Sequence, residues 1–296
     1  MRLFVLRLLT SALILLGGGL VLYSDAASWL TQYRQSEVIN ALSNNVGKQG
    51  HGNADQLKAA KEYNAVLSSG ADLLAHHNTP TGAGSIAEAE FAKLKPYEEI
   101  LKADFQGLMG RVRIDAIDVD LPVYHGTSES VLLRGVGHLQ GTSFPVGGAG
   151  THTVLTAHRG LAQSKLFTDL DQLVEGDTFV VEVFGEVLTY KVFLRQVVEP
   201  GENESLRAVE GKDLATLVTC TPLGINSHRI LVTGERIEPT PIKDLEHANE
   251  PSALPRFPWW MIWASGFILL ATANTLYAVR DHTKRSSRTA KESNSR

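Results

Sequence analysis

Leu214-Ala-Thr-Leu-Val-Thr-Cys220 and His228-Arg-Ile-Leu-Val-Thr-Gly234 are two apolar runs joined by Thr221-Pro-Leu-Gly-Ile-Asn-Ser227. β-Branched residues are frequent in both runs and Pro, Gly and Asn punctuate the join, so the stretch reads as strand, turn-rich loop, strand. Cys220, the only cysteine of the 296-residue chain, ends the first strand, and Arg229 opens the second. A thiol at a strand end, facing an Arg across a hairpin-like loop, suits covalent catalysis. The nucleophile there is the thiolate, which needs a cation or a base beside it.

Working outward, the texture stays that of short strands. Gly110-Arg-Val-Arg-Ile114 alternates polar and apolar residues, and Val119-Asp-Leu-Pro-Val-Tyr124 follows. A glycine-rich stretch from Gly126 to Gly150 leads to Thr151-His-Thr-Val-Leu-Thr156, which runs into Ala157-His158-Arg159-Gly160. Lys165 to Leu173 reads as a short helix. Thr178–Val183 and Val187–Phe193 flank Gly185 as a hairpin. Many short strands separated by turn signals indicate an all-β barrel or sandwich. Before Gly107 the chain is polar and helical from Ser28 to Lys102, with helical spacing in Ala59–Leu67 and Ala87–Leu94. Ser68–Ser85 reads as a loop whose His76 and His77 are solvated rather than metal-binding.

Composition is that of a globular protein, 43% hydrophobic and 20% charged, and the net charge of -4 gives no footing for a nucleic-acid partner. Two segments have the roughly 20 apolar residues that a bilayer requires. Leu3–Tyr23 is interrupted only by Arg7; Phe257–Val279 carries no charge and opens with Trp259, Trp260 and Trp263, as at a membrane interface. Arg280, Lys284, Arg285, Arg288, Lys291 and Arg296 follow, so the positive-inside rule sets this tail in the cytoplasm. Arg2 and Arg7 set the N-terminus there too, with the middle of the chain outside. Ser24-Asp25-Ala26 offers a signal-peptide cleavage site, but the apolar stretch is long for such a peptide and reads as an uncleaved anchor. The organisation expected is therefore an anchor or signal segment at 1–27, a helical region at 28–106, an all-β barrel or sandwich at 107–237, a Pro- and charge-rich linker at 238–256, a transmembrane helix at 257–280 and a basic tail at 281–296.

A lone cysteine in an exported chain has no internal disulfide partner, which leaves a reactive thiol or a small buried hydrophobe. Among the histidines, His158 follows a strand and precedes Arg-Gly, a loop position where barrel sites assemble. His152 lies inside its strand and reads as packing or surface. His125 and His138 sit in glycine-bounded loops and could line a site, whereas alternation turns His228 away from Arg229. Arg229 is never a base; it can donate to an oxyanion, or serve a structural ion pair.

Thr216 to Arg236, with its Thr219-Cys-Thr-Pro222 core, Gly224-Ile-Asn226, Ser227 and His228-Arg229, resembles the signature of sortases, the Cys/His/Arg transpeptidases of Gram-positive surfaces. It is most similar to class C, the pilus-assembling sortases. Ala60-Lys-Glu-Tyr-Asn64, Tyr124-His-Gly-Thr127, Gly137-His-Leu-Gln-Gly-Thr-Ser143, Pro145-Val-Gly-Gly148, Thr156-Ala-His-Arg-Gly160 and Lys165-Leu-Phe-Thr-Asp-Leu-Asp171 extend the resemblance over most of Ala60–Arg236. It implies a closed eight-stranded β-barrel with N-terminal helices and flanking transmembrane helices. It implies Cys220 as nucleophile, His158 as acid–base partner and Arg229 as oxyanion or substrate donor. The implied reaction cleaves an LPxTG-like sorting signal between Thr and Gly and joins the acyl group to a pilin Lys amine, with sorting-signal-bearing pilins or surface proteins as partners. No cofactor is implied, and no carboxylate cluster has Ca²⁺-loop spacing. One departure stands out. Pilin sortases carry an Asp-Pro-aromatic lid motif, and Ser68–Leu108 contains none; Pro80, Pro96-Tyr97 and Asp104-Phe105 do not reproduce it. The competing readings are a sortase using a peptidoglycan-precursor amine, a cysteine protease, and a non-catalytic membrane-anchored binding barrel.

Overall fold

After Gly107 the strands are buried along most of their length, and their sheet closes on itself. In the computed structural model, which describes residues 2–46, 50–68, 71–72, 81–82, 93–202 and 204–293, eight strands form a closed barrel. They are β1 (Leu108–Ile114), β2 (Val119–His125), β3 (Val136–His138), β4 (Thr151–Thr156), β5 (Thr178–Val183), β6 (Glu186–Val198), β7 (Asp213–Thr221) and β8 (His228–Arg236). Around the barrel the order is β8-β6-β5-β1-β2-β3-β4-β7, closing on β8. Only β2–β3 and β4–β7 are parallel; the other pairs are antiparallel. The expected barrel is thus present, and the strands read from the sequence lie where they were expected.

Two elements escaped the sequence: β3, and the one-turn helix α3 (Glu129–Leu132) that precedes it, both within the glycine-rich stretch. A third expectation is corrected. Lys165–Leu173 is not a regular helix; it is a series of turns ending in a 3-10 turn at Leu170–Gln172. Leu166, Phe167, Leu170 and Leu173 are buried at helical spacing, which explains the expectation. The backbone is spent elsewhere, because Phe167 N–H donates to His158 O and Leu166 sits at a left-handed φ of 43°.

The helices α1 (Arg2–Val46) and α2 (Gly50–Ser68) precede the barrel, α4 (Ile242–Glu246) follows it, and α5 (Trp259–Ser293) ends the chain. Two compact units result, residues 31–255 and residues 1–30 with 256–296. In the first, α2 lays Ala59, Ala60 and Tyr63 on the barrel core, and Asn64 exchanges bonds of 3.0 and 2.7 Å with the Phe144 backbone. The segment after β8 is bound to the barrel rather than held off it. Arg111 donates to both oxygens of Asp120 at 2.6 and 2.8 Å and to Glu250 O at 2.9 Å, Ser252 donates to Asp120, and Arg113 meets Glu182 and Asp244. Burial works against the Arg111 charge, but the bonds and charge of Asp120, with Glu182 and Asp115 near, outweigh it and hold the guanidinium above its ordinary pKa.

In the second unit, both helices are long and apolar enough to cross a membrane. Ser11 Oγ donates to Ala271 O, Asn274 Nδ2 donates to Arg7 O and Ser11 Oγ, and Thr275 Oγ1 bonds Ser11 Oγ, all at 2.9–3.1 Å. A Cβ on Gly18 would lie 2.8 Å from the Phe267 ring, so glycine is what lets these helices touch there.

His138 and His152 were expected in a loop and as packing or surface respectively; both are buried strand residues. His138 is fully buried between the Tyr97 hydroxyl (2.8 Å from Nδ1) and Ser143 O (2.9 Å from Nε2). His152 contacts Arg207 O at 2.9 Å and Thr216 Oγ1 at 2.7 Å. Each set of partners is satisfied by a neutral ring. Desolvation lowers both pKa values, that of His138 from 6.5 to about 4. A histidine neutral when folded takes up a proton on unfolding, so its stabilisation is complete above about pH 6.5 and drains away as pH falls toward 4. Between pH 6.5 and 5 the His138 ring should cost up to about 1.4 kcal/mol per pH unit, with His152 acting in the same direction. Urea unfolding of the detergent-solubilised chain measures this, and a pH-independent midpoint across that range contradicts it.

Candidate functional site

Three strands set the positions of the residues singled out from sequence. β7 and β8 are antiparallel neighbours with Cys220 opposite Arg229. β4 runs parallel to β7 with Thr156 opposite Val218; the same register, carried two residues on, sets His158 level with Cys220. Ala157 N donates to Val218 O at 3.1 Å and Thr219 Oγ1 to Ala157 O at 2.8 Å, so pairing continues past the end of β4. Alternation then fixes the face. Leu155, Ala157, Ala215, Leu217, Ile230 and Val232 belong to the main core, which leaves His158, Cys220 and Arg229 together on the opposite face of the wall. That face has its own small cluster, Val154, Val198, Leu206 and Leu231, just below the three residues.

The thiol of Cys220 is partly exposed and unpaired in a disulfide. The His158 side chain is 23% exposed, and its Nε2 lies 3.1 Å from Glu129 Oε1. Arg229 uses Nη1 to donate to Asn226 O and His228 O, both at 3.0 Å, and its Nε and Nη2 have no partner among the described residues. A partly exposed thiol, an imidazole, and a guanidinium with two nitrogens that have no partner among the described residues therefore share one rim. His228 pairs with Thr221 on the other face, its Nδ1 bonded to Ser227 Oγ at 2.8 Å, as alternation requires.

His125 and His138 do not line this rim. His125, at the end of β2, has Gly107 O and Ile100 O at its two nitrogens, and burial, the stronger influence, lowers its pKa. Pro96-Tyr97 is no plug either: Tyr97 is buried among Phe144, His125 and His138, and its hydroxyl accepts from Gly126 N. Asp104 caps a turn by accepting from Gln106 N and Leu108 N. His76, His77, Pro80 and about half of the span considered for a lid lie outside the described residues. Among the described residues no group of three or more His, Cys, Asp or Glu could hold a metal ion.

Two contributors were missed from sequence, Glu129 and Arg159. The Arg159 side chain is 8% exposed and joins the two segments that carry His158 and Cys220. Its Nη1 donates to Thr221 Oγ1 at 3.1 Å, its Nε to Thr168 O at 2.9 Å, and it pairs with Asp171. A planar guanidinium can serve three directions at once, whereas an ammonium cannot hold that geometry. The adjacency of Arg to a candidate His was visible in sequence, but its partners, Thr168, Asp171 and Thr221, were not. Hydrogen bonds from a charged donor contribute about 1.5–3 kcal/mol. Arg159→Ala should therefore raise amide exchange at residues 158–169 and 221 roughly tenfold or more by hydrogen–deuterium exchange, with Arg159→Lys intermediate. Unchanged protection would show that the fork does not hold the two segments.

Known proteins share this arrangement of strands. Residues 112–237 match the model of the sortase domain family. Sortase C-1 from Actinomyces oris superposes with a TM-score of 0.53 at 44% identity, covering 62% of this chain and 98% of that one. Sortase C from Streptococcus pneumoniae gives a TM-score of 0.55 at 40% identity, covering 68% and 96%. Sortase A of Bacillus anthracis is 29% identical over 134 residues, a match spanning 45% of this chain and 62% of that relative's length.

Proposed function

Since the chain belongs to the sortase family, whose members are cysteine transpeptidases, we propose that Cys220, His158 and Arg229 carry a transpeptidation in which Cys220 is acylated. The observation that carries this is the shared register of β4, β7 and β8, which brings the three side chains to one face. In the first half, the Cys220 thiolate attacks the Thr carbonyl of an LPxTG-like sorting signal. Arg229 donates to the resulting oxyanion, and the C–N bond to Gly breaks as the His158 imidazolium gives its proton to the leaving amine. A thioester remains. In the second half an amine attacks it, His158 takes the amine's proton, and the new amide leaves with the thiolate restored. The amide's energy is kept in the thioester, so no nucleotide is consumed.

The similarity to class C sortases supports a Lys side chain of a pilin subunit as the acceptor, and hence pilus assembly. The two long apolar helices support tethering in the cell membrane with the barrel outside and the basic tail in the cytoplasm. Such tethering would keep the enzyme beside substrates that are themselves membrane-held.

The test incubates the detergent-solubilised chain with a sorting-signal peptide and a pilin, and reads products by mass spectrometry. A peptide adduct on Cys220 and a Lys-linked product are expected, with Cys220→Ala folded but inactive. An adduct that passes only to a peptidoglycan-precursor amine would redirect the assignment to cell-wall anchoring, and ladders from Cys220→Ala would refute the mechanism. Because a thiolate and an imidazolium must coexist, the rate should trace a bell in pH; a flat profile from about pH 5 to 10 is incompatible with it.

A further inference from the structure

We propose that Glu129 is a positioning residue for His158, orienting the ring and fixing its tautomer; this rests on the reading above in which His158 moves the proton. The topology delivers Glu129 to the site. β2 and β3 are parallel, so the chain between them must cross over, and α3 is that crossover. β3 pairs antiparallel with β4, Gly137 opposite Thr156, so the residues entering β3 lie alongside Ala157 and His158. α3 ends three residues before Gly135 and hangs over the His158 rim, where Glu129 Oε1 lies 3.1 Å from Nε2.

The geometry assigns the two ring nitrogens different tasks. A carboxylate only accepts, so Nε2 carries a hydrogen and donates it to Glu129. Nδ1 has no partner among the described residues and is the nitrogen left to exchange a proton. In the forward step Nδ1–H passes to the leaving amine and the neutral ring keeps Nε2–H. In the return step Nδ1 recovers a proton from the incoming amine, so no net proton is held by Glu129. The carboxylate fixes the tautomer and the direction in which the ring faces.

The other charged and titratable groups around the ring do not duplicate this. Cys220 from β7 and Arg229 from β8 are level with His158 on the same face. Arg159 is committed to Thr221, Thr168 and Asp171. Arg134, near Glu129 in sequence, donates to Ser130 O and Gln106 Oε1 and stacks over Tyr124. His228 is turned to Ser227. Glu129 is thus the one carboxylate bonded to His158 among the described residues.

The Glu129 side chain is 70% exposed, so its substitution should leave folding intact, and its charge effect should be that of a surface pair. Glu129→Gln can still accept from Nε2–H but lacks the charge; Glu129→Ala loses both. In the full-length detergent-solubilised protein, kcat should be nearly retained in Glu129→Gln and should fall roughly fivefold or more in Glu129→Ala. Ring ¹⁵N spectra, with the His158 signal identified by its loss in His158→Ala, should show the neutral ring protonated at Nε2 in wild type and Glu129→Gln, and a mixture of both tautomers in Glu129→Ala. The same tautomer in wild type and Glu129→Ala, with equal kcat in the two, overturns the proposal for Glu129 alone. Full activity in His158→Ala would instead overturn the reading on which it rests.

Discussion

The parallel pairing of β4 with β7 is the constraint on which the site depends. It sets two residues 62 apart in sequence side by side, as the Thr219-to-Ala157 bond attests. Because strand side chains alternate, a one-residue slip of β4, β7 or β8 would send His158, Cys220 or Arg229 into the core and bring a core residue to the rim. Such a slip would have to expose Leu217, Ile230 or Ala157, all buried now, so the hydrophobic pattern enforces the placement of the three residues on one face. Parallel neighbours cannot be joined by a tight turn. The excursion between them is put to use: it supplies the buried turns that anchor Arg159, and the β5–β6 hairpin that continues the wall.

A second layer of order comes from charge. Arg111, Arg113, Asp120, Glu182 and Asp244 are all largely buried, and they bind the stretch after β8 back to β1 and β2. Buried ion pairs add little net stability over well-packed apolar residues, since desolvation offsets attraction. What they add is direction: each guanidinium here has partners on more than one segment, and a misplaced segment would strand a buried charge. Backbone carbonyls of His247 and Glu250 complete the shell around the two arginines. The composition of 238–256, rich in charge and Pro, is that of a free linker. Asp244 and the carbonyls of His247 and Glu250 nevertheless tie it to the barrel, which a composition cannot reveal.

Most of the wall was legible because β-branched alternation is a local signal. β3 was not, being three residues, Val136-Gly-His138, between glycines; its strand identity comes from its neighbours on both sides. The helical spacing of Leu166, Phe167, Leu170 and Leu173 was read correctly as buried and wrongly as helix, because tertiary bonds to His158 and Arg159 took the backbone. Cys220, His158 and Arg229 were legible as a set through motif resemblance, while strand alternation predicted that His228 would diverge. His125 and His138 could not be separated from loop residues by sequence. An adjacent glycine suggested exposure in each case, but Gly137 is there for close approach, since a Cβ on it would meet Gly126 O at 2.3 Å, and Gly126 for a left-handed φ of 73°. Glu129 was silent for the same reason as α3, since a single helical turn has no period to read.

The rim is open, and that bears on how its charges can act. Leu223 and Ile225, in the loop between Cys220 and Arg229, are 52% and 73% exposed. In water, an exposed carboxylate–imidazolium contact is worth little, and a thiolate–imidazolium pair is screened as well. A peptide lying across those two apolar side chains would displace water from the same face that holds Glu129, His158, Cys220 and Arg229. Removing water raises every interaction among them at once, because the effective dielectric falls for all four together. Under the proposed reaction the pair would gain strength only with a peptide in place, and the accessibility of the rim among the described residues would make the charge arrangement conditional on that peptide.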